Sequence, residues 1–131
     1  MLNELGKLVE KYEKKLALRL VVLFGSRARG DYTDRSDVDI LVVADDLPKD
    51  PRESFAMLCD IDFINVHPIG FNTGSFLKKL KEGSVFIIEI LEEGKIIYAD
   101  KEFLEQVMSI YREIRSKYAR QGKTWSLISQ P

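Results

Sequence analysis

The stretch FGSRARGDYTDRSDVDILVV, Phe24 to Val43, decides the fold. It leaves an apolar run at Gly25, crosses a polar loop rich in arginine and aspartate, and re-enters an apolar run at Val38. Leu18 to Phe24 (LRLVVLF) reads as one buried strand and Val38 to Val43 (VDILVV) as a second, both short β-branched or aliphatic runs bounded by turn residues. Residues 26–36 form the loop between them, with one helical turn expected at Ser26, a good N-cap. Asp37 and Asp39 stand at the mouth of the second strand, where unpaired charge is costly. Because side chains alternate along a strand, both point to the same face.

Working outward, Leu2, Leu5, Leu8, Val9, Tyr12 and Leu16 recur at helical spacing and predict a first amphipathic helix over about Leu2–Leu16. Beyond Val43, Pro48 and Pro51 mark a turn and Arg52–Leu58 a short helix. Ile61–Val66 (IDFINV) is read as a third strand closed by His67 and Pro68. Ser75–Lys81 and Ser84–Leu91 are helical pieces separated by Gly83, the second with a strand as its alternative because VFIIEIL is β-rich. Lys95–Tyr98 is a short strand, and a last helix runs from about Lys101 to Arg120 with Phe103, Val107, Ile110, Ile114 and Tyr118 on one stripe. This order implies an α/β (α+β) fold, a small mixed β-sheet flanked by helices. Strands one and two are expected antiparallel and strands two and three parallel, which gathers Gly25-Ser26, Asp37-Asp39 and Asp60-Asp62 at one end of the sheet.

The chain has 131 residues, enough for one domain with a core, and 45% hydrophobic with 31% charged residues describe a folded soluble protein. One domain over residues 1–131 is expected, with a C-terminal helix and tail from about residue 101 outside the core motif. A formal net charge of −1 gives the molecule no overall attraction for nucleic acid or an anionic membrane, so any anion must be met locally. One cysteine and one histidine exclude a disulfide framework and a zinc cluster. No apolar run approaches the ~20 residues of a membrane span, and the expectation is a cytoplasmic protein without a targeting segment.

Asp37 and Asp39, joined by Asp60 or Asp62, would bring three carboxylates together, and each pair at ~5 Å repels by roughly 3 kcal/mol at an effective dielectric of about 20. Hard divalent cations relieve such a cluster, and Mg²⁺ commonly shares its shell with substrate phosphates. The neighbouring loop suits phosphates: Gly25 permits close backbone approach, Ser26 supplies a hydroxyl, and Arg27 and Arg29 can bind phosphate oxygens bidentately. Carboxylate-bound metals beside a phosphate cradle are equipment for phosphoryl or nucleotidyl transfer.

Gly25-Ser26, ten intervening residues and Asp37-Val38-Asp39 resemble the G-S-x10-D-x-D signature of the DNA polymerase beta-like nucleotidyltransferase superfamily. A chance match to four such residues at fixed spacing is on the order of one in a thousand for a chain of this length. In size and in the string GSRARGDYTDRSDVDILVV the chain is similar to the minimal nucleotidyltransferases, the MNT proteins. The resemblance implies a nucleotidyltransferase fold, a two-ion Mg²⁺ site on Asp37 and Asp39, and nucleotide phosphates held at Gly25 and Ser26. It also implies a third carboxylate on the following strand, for which Asp62 is preferred and Asp60 is the competitor. The implied activity is transfer of AMP from ATP to a hydroxyl. The implied partner, beside the nucleoside triphosphate, is a HEPN-type toxin, a tyrosine of which is the candidate acceptor in an antitoxin role. The alternative is a catalytically silent antitoxin or regulatory subunit that acts by binding its partner.

Other residues have plainer readings. Asp31, Asp34 and Arg35 suit a solvated loop, His67 a packing or surface position with a minor catalytic role open to it, and Cys59 a small core position. Trp125 and Leu127, beyond Gly122, either pack back on the core or meet a partner.

Overall fold

The computed structural model describes residues 2–30, 37–121 and 124–128, so the loop aspartates Asp31 and Asp34, and Arg35, lie outside the described residues. Leu18–Phe24 (β1) and Val38–Ala44 (β2) are the central strands of a four-stranded sheet. They pair antiparallel, with Phe24 opposite Asp39. Val66–Asn72 (β3) lies parallel to β2 on one side, and Lys95–Ala99 (β4) antiparallel to β1 on the other, giving the order β3-β2-β1-β4. The sheet is mixed, as expected.

Both faces of β1 and β2 are covered, which explains why these strands read as continuous apolar runs. On one face Leu5, Leu8, Val9 and Tyr12 of the first helix, Leu2–Lys15 (α1), pack with Val21, Leu23, Val38, Ile40 and Val42. Leu58, from Pro51–Leu58 (α3), joins them, and the buried Tyr12 hydroxyl donates to its carbonyl at 2.6 Å. On the other face Leu20, Val22, Leu41 and Val43 meet Phe76 and Leu80 of Thr73–Lys81 (α4), Ile87, Ile88 and Ile90 of Val85–Glu93 (α5), and Phe103 and Val107 of Lys101–Arg115 (α6). The helices start where capping chemistry places them. Asp50, Asn72, Ser84 and Asp100 each accept a hydrogen bond from a backbone N–H in the first turn of the helix that follows, and Pro51 occupies the first turn of α3. Ser84–Leu91 is therefore settled as helix rather than strand.

Three expectations require correction. The third strand is not Ile61–Val66: the Asp60 side chain accepts from the Asp62 N–H and folds Ile61–Phe63 into a 3-10 turn, and β3 begins only at Val66. It then runs through Pro68, which is tolerated because β3 is an edge strand and needs no second ladder of donors. The last helix stops at Arg115 instead of Arg120, and Tyr118–Gln121 (β5) and Thr124–Leu127 (β6) form a hairpin. The Tyr118 hydroxyl donates to the Gly83 carbonyl at 2.6 Å, and Trp125 packs edge-on against the Tyr118 ring and onto the core, while Leu127 is exposed. These tertiary contacts end a helix that no sequence breaker would have ended. Finally, Cys59 is exposed, not in the core.

Candidate active site

Gly25 ends β1 with φ 72° and ψ −154°, a conformation open essentially to glycine alone. Its carbonyl accepts from the N–H groups of Ala28 and Arg29, turning the chain into the single helical turn Ser26–Arg29 (α2). Gly25, not Ser26, is the N-cap residue, and no side chain caps this turn; Ser26 is the first helical residue. A Cβ built on Gly25 would lie 2.5 Å from Asp39 Oδ2. The glycine backbone and the Asp39 carboxylate thus occupy adjoining space, and only the missing side chain allows it.

Asp37 and Asp39 share the face of β2 that carries Leu41 and Val43, the side covered by α4, α5 and α6. Asp37 is exposed and Asp39 half-buried. Burial pushes the Asp39 carboxyl up, His67 pulls it down, the charge of Asp37 adds to the rise, and Arg29 opposes it; the net shift is upward. A carboxylate so placed is under-compensated by protein cations alone, which suits a position that receives one.

The two arginines of the loop part company. Residues two apart on a helix do not face each other, and Arg29 lines a cleft with Phe24, Gly25, Phe86, Glu89, Ile90 and Glu93. Arg27 instead borders Glu4, Leu5, Val38, Phe63 and Val66 on the α1 side. Arg29, then, shares the cleft with Gly25, and Arg27 does not.

Asp60 and Asp62 are drawn to the opposite side as well. Lys11 of α1 bridges them, at 3.1 Å to Asp60 and 3.0 Å to Asp62. The Asp62 N–H and then Lys11 hold the Asp60 carboxyl below its usual range, and the two carboxylates hold Lys11 above its own. The structure does not bring Asp62 or Asp60 to Asp37 and Asp39. The residue that does stand there is His67. It is opposite Asp39 in the β2–β3 register, and its Nε2 is 3.5 Å from Asp37 Oδ2. Placing the third strand five residues early hid this neighbour. With the strand correctly begun at Val66, parallel pairing alone would have found it. Phe86, Glu89 and Glu93, the α5 wall of the cleft, carried no motif and were not singled out.

Among the described residues, no three His, Cys, Asp or Glu side chains form a ready-made metal cluster. The oxygen donors Asp37 and Asp39, with an adjoining cradle kept open by Gly25, nonetheless fit a hard divalent cation that completes its shell with water and substrate phosphate oxygens. Chemically, the arrangement offers the Asp37 and Asp39 carboxylates, the His67 imidazole, a close backbone approach at Gly25 and the Arg29 guanidinium, beside a cleft whose α5 wall carries Glu89 and Glu93. Among the described residues no helix is long and apolar enough to cross a membrane.

Comparison with known proteins assigns the chain to a family. The sequence model of the family described as "Polymerase beta, Nucleotidyltransferase" matches residues 6–103. A protein of Methanocaldococcus jannaschii provisionally named a protein adenylyltransferase is 33% identical over 136 residues, covering 95% of this chain and 92% of that one. A second from the same organism, with the same provisional name, is 35% identical over 98 residues, covering 70% and 87%. Among solved structures, a provisionally named nucleotidyltransferase of Sulfolobus solfataricus superposes with a TM-score of 0.55 at 27% identity, covering 78% of this chain and 83% of that one. A chain of a toxin–antitoxin structure with AMP-PNP superposes with a TM-score of 0.54 at 22% identity over 88% and 90%, a likeness of fold. A family match across most of the chain, a relative of nearly the same length and the Gly25–Asp39 contact lead to one conclusion: this protein belongs to the polymerase beta nucleotidyltransferase family, and is an enzyme of the nucleotidyltransferase class.

Proposed function

We propose that the protein transfers AMP from ATP to a hydroxyl presented by a second protein, with Mg²⁺ held by Asp37 and Asp39. The observation that carries this reading is the close approach of Gly25 to Asp39, which supports reading the Gly25-Ser26 turn and the carboxylate pair as parts of one site. The provisional names of the two M. jannaschii relatives support a protein acceptor and an adenylyl donor.

Mg²⁺, when bound, would neutralise phosphate charge and acidify the attacking hydroxyl. The protein's own residues divide the remaining work. Gly25 lets the chain approach the phosphates, Ser26 and Arg29 bind their oxygens, and Asp37 and Asp39 fix the cation against them. The acceptor oxygen forms a bond to the α-phosphorus, the bond from that phosphorus to the β-bridging oxygen breaks, and pyrophosphate leaves. His67 Nε2, beside Asp37, accepts the proton of the acceptor. The resemblance to MNT proteins supports a HEPN-type toxin as the partner and a tyrosine as the acceptor.

A second reading, a catalytically silent antitoxin, draws on one observation: no third carboxylate joins Asp37 and Asp39 among the described residues. One experiment separates the two. The protein and its toxin partner are incubated with Mg²⁺ and ATP labelled either at the α- or at the γ-phosphate. Adenylyl transfer labels the toxin from the α-position only. Label from the γ-position would mean phosphoryl transfer, and no label from either, with the toxin still neutralised, would leave the silent antitoxin.

A further inference from the structure

Helix α5 gives only part of its surface to the core. Ile87, Ile88 and Ile90 are buried with Leu20, Val22, Leu41 and Val43 of the sheet. Phe86, Glu89 and Glu93, spaced at i, i+3 and i+7, form the neighbouring stripe and wall the cleft beside Gly25. The cleft holds about 200 Å³, less than the ~300–1,000 Å³ of a site that encloses a whole ligand, so it accommodates one end of a nucleotide and not all of it. The side chains decide which end. Phe86 is 47% exposed, and its ring stands edge-on to Phe24, with centroids 5.9 Å apart and planes at 89°. That contact steadies the ring and leaves at least one of its π-faces unstacked by Phe24. Glu93 is engaged at both oxygens, Arg120 donating to Oε1 and Arg29 lying 3.7 Å from Oε2. Glu89 is held more loosely: among the described residues its ionic neighbour is Arg120 at 3.7 Å, beyond hydrogen-bond reach, and its carboxylate keeps acceptor capacity on the cleft. A carboxylate wall repels phosphate oxygens but suits a neutral group that carries N–H donors, and an open aromatic face suits a flat π-system.

We infer that this cleft receives the adenine of the nucleotide: the base stacks on Phe86, and its exocyclic amino group donates to Glu89. Glu89 is then a specificity-determining residue, because a purine with hydrogen at that position loses the bond and one with a carbonyl there sets an oxygen against the carboxylate. The inference rests on the proposed nucleotide site and deepens it. It lays the nucleoside along α5, on the side of the sheet that Asp37 and Asp39 share, with the phosphates at the Gly25-Ser26 end of the cleft.

The test is equilibrium binding, with Mg²⁺ and without acceptor, of ATP, GTP, 2′-deoxy-ATP and purine riboside triphosphate, which lacks only the amino group of ATP. Full-length wild type is compared with Glu89→Ala, Phe86→Leu and Phe86→Tyr. Wild type binds ATP about tenfold more tightly than purine riboside triphosphate, the size of one hydrogen bond to a charged acceptor. Glu89→Ala brings that ratio below about twofold; loss of charge alone acts on both triphosphates alike and leaves the ratio where it was. Phe86→Leu, which keeps the apolar contact with Phe24, weakens ATP about tenfold through loss of stacking, and Phe86→Tyr stays within about twofold of wild type. Equal binding of ATP and purine riboside triphosphate by wild type, a preference that survives Glu89→Ala, or unchanged ATP binding by Phe86→Leu would each overturn the inference and leave the proposed nucleotide site standing. Tighter binding of GTP than of ATP, or a weakening of 2′-deoxy-ATP that vanishes in Glu89→Ala, would overturn it by giving Glu89 to guanine or to the ribose. A wild-type protein that binds none of the four would remove the proposed nucleotide site and the inference with it.

Discussion

Gly25→Ala is the substitution through which the proposed site can be probed most narrowly. Two costs follow from the structure. The backbone at φ 72° and ψ −154° lies in a region that residues with a Cβ avoid, at an expense of about 1–3 kcal/mol. The new methyl would also stand 2.5 Å from Asp39 Oδ2, and since real Cβ atoms do not come that close, either Asp39 or the 25–26 peptide must move by about 1 Å. At about 4 °C per kcal/mol for a domain of this size, the melting temperature falls by roughly 4–12 °C, leaving the protein folded at 25 °C. Catalysis suffers more, because a shift of about 1 Å in a reacting group can cost on the order of 100-fold. The assay is kcat/KM for adenylyl transfer at 25 °C, with circular dichroism and thermal melting on the same sample. A loss of about 100-fold in a folded protein is expected. Activity within about threefold of wild type, in a variant whose melting point has dropped as described, would refute the claim that the Gly25–Asp39 contact organises the site.

Other outcomes follow from the same geometry. Asp62→Asn should keep kcat/KM within about twofold of wild type, because Asp62 is engaged by Lys11 on the α1 side and surface pairs contribute little; a loss comparable to Asp39→Asn in steady-state kinetics would show that Asp62 reaches the site. His67→Ala should lower kcat by about 100-fold, the low end for a general base, while the Kd for the Mg²⁺–nucleotide stays put; unchanged kcat would remove the assigned role. Hydrogen bonds from Arg19 and then Thr73 hold the Asp45 carboxyl below its usual range, so its folded value lies under its unfolded one. That contribution is complete above the ordinary carboxylate value of 3.8 and is lost as pH falls through the folded value. Melting curves of Asp45→Asn and wild type should therefore stay separate at neutral pH and converge only as pH falls progressively below about 4.

The site was legible where one local rule governed it. Asp37 and Asp39 share a face because strands alternate. Phe24 and Asp39 are opposed because the two central strands are joined by a loop that returns antiparallel, and Gly25 was needed for a close approach that the structure locates at Asp39. Legibility failed where a side chain outcompeted the pattern. Asp60 uses its carboxylate on the Asp62 N–H, which converts an apparently apolar strand into a turn, and an edge position accepts Pro68 where a central strand would not. With the strand displaced, Asp62 was assigned a place that His67 takes in the register. The parting of Arg27 and Arg29 depends on which face of a single helical turn meets the cleft, and the hairpin after Arg115 depends on Tyr118 and Trp125 finding distant partners. Neither is written in local sequence. The α5 wall of the cleft was invisible for a related reason. Glu89 and Glu93 read as the polar face of a helix until the fold sets Arg29 and Arg120 against them.

On the proposed function, Gly25-Ser26 and Asp37/Asp39 form one metal-dependent nucleotide site. Isothermal titration of a non-hydrolysable ATP analogue, with and without Mg²⁺, into wild type and Asp37→Asn/Asp39→Asn tests it most directly. Wild type is expected to bind in the micromolar class and to weaken at least tenfold on removal of Mg²⁺, with no such metal dependence in the double variant, which loses more than 1.4 kcal/mol of affinity. Equal binding by both proteins, indifferent to Mg²⁺, would contradict it.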